Sequence, residues 1–139
     1  MDEPRITAAE LSELLRETIP LTRLLDLRVT EIGWGTCTVL LPGSDTTLRA
    51  GGTVSGPALF AMADTALYGA VLSRIGLEPL AVTSDLSLRF LRKPPRDDLH
   101  GVGTLIRLGR RQAVGEVRLF GADPDQLVAH ATGTYSLPL

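Results

Sequence analysis

The period of hydrophobic positions changes three times along the chain, and each period predicts a different element. Residues 7–15 read TAAELSELL. Leu11, Leu14 and Leu15 share one face at helical spacing, and Thr7-Ala8-Ala9-Glu10 has the form of a capping box. The spacing predicts an amphipathic helix over about 8–18, stopped by Pro20, with a further helical turn at 21–25. The period then falls to two. Residues 28–32 and 36–41 flank Gly33-Trp34-Gly35 and read as a hairpin, closed by Pro42-Gly43-Ser44-Asp45. A glycine-bearing loop over 43–53 follows.

Residues 54–73, VSGPALFAMADTALYGAVLS, break the alternation. Ser55 or Gly56 suits an N-cap, and Pro57 suits the first helical position, where its missing N–H has no helical partner in any case. Gly76 supplies the stop after Arg74. Leu59, Phe60, Met62, Leu67, Tyr68, Val71 and Leu72 cover nearly every side, the pattern of an enclosed central helix. At this spacing Phe60, Met62, Leu67 and Tyr68 read as core before they read as a pocket. Four strand-like runs come next, at about 79–92, 98–108, 111–121 and 126–137, with turns at Gly109-Arg110 and 121–125. With no helix between them they are expected as an antiparallel meander. The order gives an α+β class, one sheet curled around one long helix, in a single domain over 1–139 with 1–20 as a helical extension.

Composition narrows the function more than the fold. Net charge is −2, which gives no whole-chain attraction to nucleic acid. The 14 basic residues are 13 Arg and Lys93, with Arg89, Arg92, Lys93, Arg96, Arg107, Arg110 and Arg111 gathered in the second half. They suit solvated strand ends or a local phosphate-binding rim. The single cysteine, Cys37, lies in a strand pattern as a small buried hydrophobe. His100 and His130 lack metal-ligand spacing, so no metal is expected. The N-terminus has no signal-peptide pattern, and the long apolar stretch is interrupted by Asp64, Gly and Ser. A cytoplasmic protein without a membrane span is the expectation.

Asp64 sits in the middle of the apolar helix. A buried, unpaired carboxylate costs several kcal/mol, so this one is a hydrogen-bonded tie or a general base or nucleophile in a partly desolvated cleft. At the start of the same helix, Ser55-Gly56 offers free N–H groups at the positive end of the helix dipole, a position that stabilises an oxyanion. Asp64 is eight residues past Gly56, about 12 Å along the axis. One helix cannot aim both at the same carbonyl, whereas two antiparallel copies can.

The order and spacing of these features resemble the hotdog-fold acyl-CoA thioesterases of the phenylacetate-degradation (PaaI-like) type. The residues that carry the likeness are Val54-Ser55-Gly56-Pro57 with Asp64, the strand AVTSDLSLRFLR over 81–92, Leu108-Gly109-Arg110-Arg111, and VAHATGTY over 128–135. The resemblance implies a homodimer joined at sheet edges, often paired into a homotetramer, that hydrolyses acyl-CoA at the subunit interface. It implies no separate cofactor, CoA being part of the substrate. Asp64 falls on the catalytic acid, Gly56 on the backbone donor to the thioester oxygen, and Thr83 on a hydroxyl that orients water. Arg92, Arg110 and Arg111 fall where the nucleotide end of CoA is met.

Two positions depart from that pattern. The usual His-Gly-Gly is Ser55-Gly56-Pro57, and the usual asparagine six residues earlier is Arg49. Ser55 then reads as a helix cap or as a substitute donor to substrate, with Arg49 beside it. Strand parity also places Ser84 on the face of Val82, Leu86, Leu88 and Phe90, and turns Thr83 and Asp85 away, unless a bulge intervenes. Thr83 is the preferred site residue and Ser84 the alternate, with Asp85 a structural or interface residue. The competing function is a non-catalytic acyl-CoA-binding hotdog module. A hydroxyacyl dehydratase would want a histidine near the central helix, and a purely structural dimer leaves Asp64 unexplained.

Overall fold

A computed structural model describes residues 2–138. Helix α1 (Ala8–Thr18) opens on a complete capping box, with Thr7 and Glu10 bonded to each other's backbone N–H, and buries Leu11 and Leu15. A short helix, α2 (Pro20–Leu24), follows with Pro20 at its first position. Strands β1 (Arg28–Gly33) and β2 (Thr36–Leu41) form the expected hairpin, turning at Gly35 with φ +78°. A single 3-10 turn (Asp45–Thr47) leads to the long helix α3 (Gly56–Ile75), and four strands complete the chain: β3 (Val82–Phe90), β4 (Leu99–Leu108), β5 (Gln112–Phe120) and β6 (Leu127–Ser136).

All six strands form one antiparallel sheet in the order β1-β2-β4-β5-β6-β3. The expected four-strand meander is therefore only β4-β5-β6. Strand β3 crosses over to pair with β6 and becomes an edge, while β4 pairs with β2. The reason lies in residues 91–98. Pro94-Pro95 prevents a tight β3–β4 turn, and the segment instead runs past the start of α3. There Leu91 N and Arg92 N donate to the Val128 carbonyl, and Val54 N donates to the Pro94 carbonyl at 3.0 Å.

Helix α3 lies across the concave face. Met62, Leu67, Val71 and Leu72 are fully buried against Cys37, Val39, Leu99, Val117 and Leu119. Close approach explains the glycine in mid-helix: a Cβ on Gly69 would collide with the Cys37 sulfur and Leu11. The helix is not enclosed on every side, as its composition predicts. Pro57 and Phe60 are exposed, and Ala61 and Asp64 only half-buried, at i, i+3, i+4 and i+7. Phe60 keeps 43% of its surface, and the β3 edge adds Val82 at 57% and Phe90 at 60%. Hydrophobic content alone does not separate a core face from an apolar face left open.

Candidate active site

The stripe left open on α3 contains Asp64. Its Oδ1 accepts from Thr83 Oγ1 at 2.7 Å and from Tyr135 Oη at 2.5 Å. The two donors are a cross-strand pair, Thr83 facing Tyr135 between β3 and β6, so their side chains stand together on one face. A bulge makes this possible. Thr83 pairs with Tyr135 and Asp85 with Thr134, leaving Ser84 without a partner in the ladder. The extra residue inverts the parity of the strand start. Thr83 turns inward, and Ser84 turns to the Ser136 hydroxyl. Asp64 Oδ2 has no hydrogen-bond partner among the described residues, and it is not sealed from the surroundings either. The carboxylate is thus held by one oxygen and presents the other.

Asp64 lines a cavity of about 290 Å³. Ala61, Thr65 and Tyr68 of α3 line one wall, and Pro79, Ala81, Val82 and Thr83 another. Ile19, Leu21 and Leu27, around α2, close the third. Tyr135 keeps only 3% of its surface. Burial first, and then the Asp64 charge and hydrogen bond, push its phenol well above the usual tyrosine range. The phenol therefore stays protonated and donates. Tyr68, whose ring lies 5.7 Å from that of Tyr135, is also pushed up by burial.

Gly56 lies in a different cavity, of about 310 Å³, with Arg49, Leu59, Phe90, Arg92 and Lys93. Ser55 is the N-cap of α3: its Oγ accepts from Ala58 N at 3.4 Å, and its carbonyl accepts from Leu59 N at 3.2 Å. The Ser55 N–H itself donates to the Thr47 carbonyl at 2.7 Å, and Pro57 has no N–H. Gly56 carries the N–H of this turn that has no partner among the described residues. Arg92 donates to the Leu127 carbonyl at 3.2 Å. Neither Arg49 nor Lys93 pairs with a described carboxylate.

Of the residues singled out in the sequence, Asp64 and Thr83 therefore meet in one cavity, and Gly56, Arg49 and Arg92 in another, with Ser55 capping the helix beside it. The two cavities share no lining residue. Arg111 lines a third hollow, with Arg107, Gln112 and Ser136, at the Val82 end of β3, where Arg110 also sits on the β4–β5 turn. Ser84 belongs to that end, not to the Asp64 cavity. Among the described residues no group of three His, Cys, Asp or Glu side chains is placed to hold a metal. Helix α3 is long and apolar enough to cross a membrane, but 72% of that window is buried against the rest of the chain.

Sequence reasoning missed Tyr135 and the α2 wall. A signal for Tyr135 was present. It follows Ala129, Ala131 and Gly133 on the inward face of β6, and a phenol at the end of a row of small residues needs a polar partner.

Known proteins give a consistent answer. The family model described as "Thioesterase superfamily" matches residues 51–128, more than half of the chain. Among solved structures, a "putative thioesterase" from Silicibacter sp. TM1040 is 39% identical, aligned over 99% of this chain and 96% of that one, with TM-score 0.87. A mutant of the phenylacetic acid degradation protein PaaI from Thermus thermophilus is 26% identical over 86% of this chain and 99% of that one, at TM-score 0.77. The E. coli PaaI protein, at 22% identity over 95% and 94% of the two chains, shares the fold with TM-score 0.83. Curated proteins give no match. The chain belongs to the thioesterase superfamily, in the hotdog-fold form whose members include PaaI.

Proposed function

We propose that this protein hydrolyses an acyl- or aryl-CoA thioester to the free acid and CoA, at a site shared by two copies of the chain. The observation that carries the reading is the half-tied carboxylate: Asp64, in a thioesterase-superfamily chain, is bonded through Oδ1 and lines an apolar-walled cavity. Oδ2 takes a proton from water, whose oxygen adds to the thioester carbonyl, or it attacks that carbon itself, in which case water afterwards cleaves the acyl-Asp64 anhydride to free acid and regenerated carboxylate. The Gly56 N–H receives the charge that grows on the carbonyl oxygen. The C–S bond then breaks and the sulfur leaves as the CoA thiol, taking up a proton.

The sheet edge supports the shared site. The midpoint of β3 (Val82–Phe90) is Leu86. A two-fold axis there sets the Thr83 end of one strand against the Phe90 end of its copy, and so the Asp64 cavity against the Gly56 cavity of the second chain. The same axis brings the Arg110–Arg111 turn of one copy toward Arg92 and Lys93 of the other, a cationic rim suited to CoA phosphates. Exposed Phe60, Val82 and Phe90 would be covered. Two such dimers back to back would make the tetramer. Ile19, Leu21, Leu27 and Tyr68 fit the cavity to a compact acyl or aryl group.

The test is thiol release from short, medium and aryl acyl-CoA thioesters. Cys37 is fully buried and its thiol is pushed up to about 12 by burial, so the folded protein adds no background. Turnover that Asp64→Asn lowers by about 10²-fold or more supports the reading. Wild-type turnover in that variant removes Asp64 from the chemistry. Ligand-dependent melting shifts with no thiol released would make the protein a binding module instead.

A further inference from the structure

We propose that Tyr135 is a positioning residue for Asp64: with Thr83 it saturates Oδ1 so that Oδ2 alone faces the reacting water or carbonyl. The inference rests on the reading of Asp64 as the reacting acid. Tyr135 lies beyond residues 51–128, the part of the chain that the family model matches.

Three observations carry it. The first is convergence. Two hydroxyls from neighbouring strands, 2.7 Å and 2.5 Å away, point at the same oxygen, and the other oxygen has no partner among the described residues. A carboxylate held only to tie helix to sheet would gain more by sharing the donors between its oxygens. The second is rigidity. The Tyr135 ring is buried and packed against Tyr68, its hydroxyl lies within 3.1 Å of the Asp64 backbone carbonyl as well, and its backbone is fixed in a ladder between β3 and β5. The donor therefore does not follow the carboxylate if the carboxylate rotates. The third is protonation. Burial and the neighbouring charge keep the phenol neutral, so it remains a donor. Thr83 directs its proton at Oδ1 too, which leaves it only lone pairs to offer a water.

With one donor removed the carboxylate is free to turn, so kcat should fall while KM holds, because the cavity walls around α2 and Pro79–Thr83 are untouched.

The experiment compares wild type, Tyr135→Phe, Thr83→Val and Asp64→Asn in acyl-CoA hydrolysis. Tyr135→Phe should lower kcat about tenfold with KM within twofold. Thr83→Val should lower kcat in the same way. If Asp64→Asn loses turnover while Tyr135→Phe keeps the wild-type kcat, Tyr135 only packs and the proposal fails. If Asp64→Asn keeps turnover, the reading of the acid fails instead, and the two results are distinct. Should Tyr135→Phe not fold, the wild-type protein decides by NMR. A slowly exchanging Tyr135 hydroxyl proton close to Asp64 supports the clamp, and a freely exchanging one overturns it.

Discussion

The first and third turns of α3 present opposite groups and are built by opposite means. At the first turn the useful group is a donor, the Gly56 N–H, and it is free because its neighbours are not: Ser55 caps Ala58, Leu59 is bonded back, and Pro57 has nothing to offer. At the third turn the useful group is an acceptor, Asp64 Oδ2, and it is free because two hydroxyls have claimed its twin. In both places an atom is left unpaired among the described residues because everything around it is satisfied. The supports differ in reach. The first is local to the chain, set within a few residues, whereas the second is assembled from α3, β3 and β6.

The sharpest way to break this comparison is to remove each group in turn. Asp64→Asn carries the largest expected loss, about 10²–10⁴-fold in kcat with the fold unchanged by circular dichroism. Gly56→Pro should follow, at about 10²–10³-fold. Proline suits the first helical position, and Ser55 before it is already extended at φ −72°, ψ 152°. Because Pro57 follows and restricts residue 56, circular dichroism and Tm are measured beside kcat to separate loss of the N–H from a disturbed helix start. Gly56→Ala is the control. It keeps the N–H and adds a Cβ that would sit 3.4 Å from Phe90 Cζ, so it should cost far less. Equal losses in the alanine and proline variants would point to shape, not to the N–H.

Mixing the two variants tests whether the halves belong to different chains. Asp64→Asn and Gly56→Pro, each inactive alone, are co-expressed. A mixed dimer holds one site with both groups intact and one with neither. Random pairing makes half of the dimers mixed, so about a quarter of wild-type activity should return. A site within one chain would restore none.

The contrast in reach also explains what could be read in advance. The capping box at Thr7 and Glu10, the Ser55–Pro57 start and the Gly76 stop are local rules, and their boundaries form within a residue or two. Asp64 is legible because a carboxylate in an apolar run is costly anywhere. The crossover of β3 to β6 is not local: it follows from Pro94-Pro95 and from which edge remains free. The Thr83–Ser84 ambiguity turns on one bulge, invisible to a rule of strict alternation. Tyr135 is 71 residues from Asp64, and only the assembled sheet brings them together. The open stripe at Pro57, Phe60, Ala61 and Asp64 was hidden for another reason, since an apolar face left open has the composition of a core.

Ser55 offers the smallest effect and the finest cut between local support and chemistry. It stands where the resembling family has a histidine, and in the structure its hydroxyl oxygen accepts from Ala58 N at the long distance of 3.4 Å. If capping is its whole role, Ser55→Ala should cost about 1 kcal/mol of stability, a fall in Tm of about 3–6 °C, with kcat unchanged within twofold. If it also holds substrate, kcat or KM moves beyond that. Ser55→Asp separates the two further. Aspartate caps as well as serine and suits the helix dipole, so Tm should recover. Its charge, however, would sit one residue from the Gly56 N–H, where negative charge is proposed to grow, and kcat should fall by a few-fold. Stability restored while turnover drops would show that the first turn of α3 is tuned for an anion that forms during the reaction. Stability and turnover recovering together would leave Ser55 a cap and move the oxyanion away from Gly56.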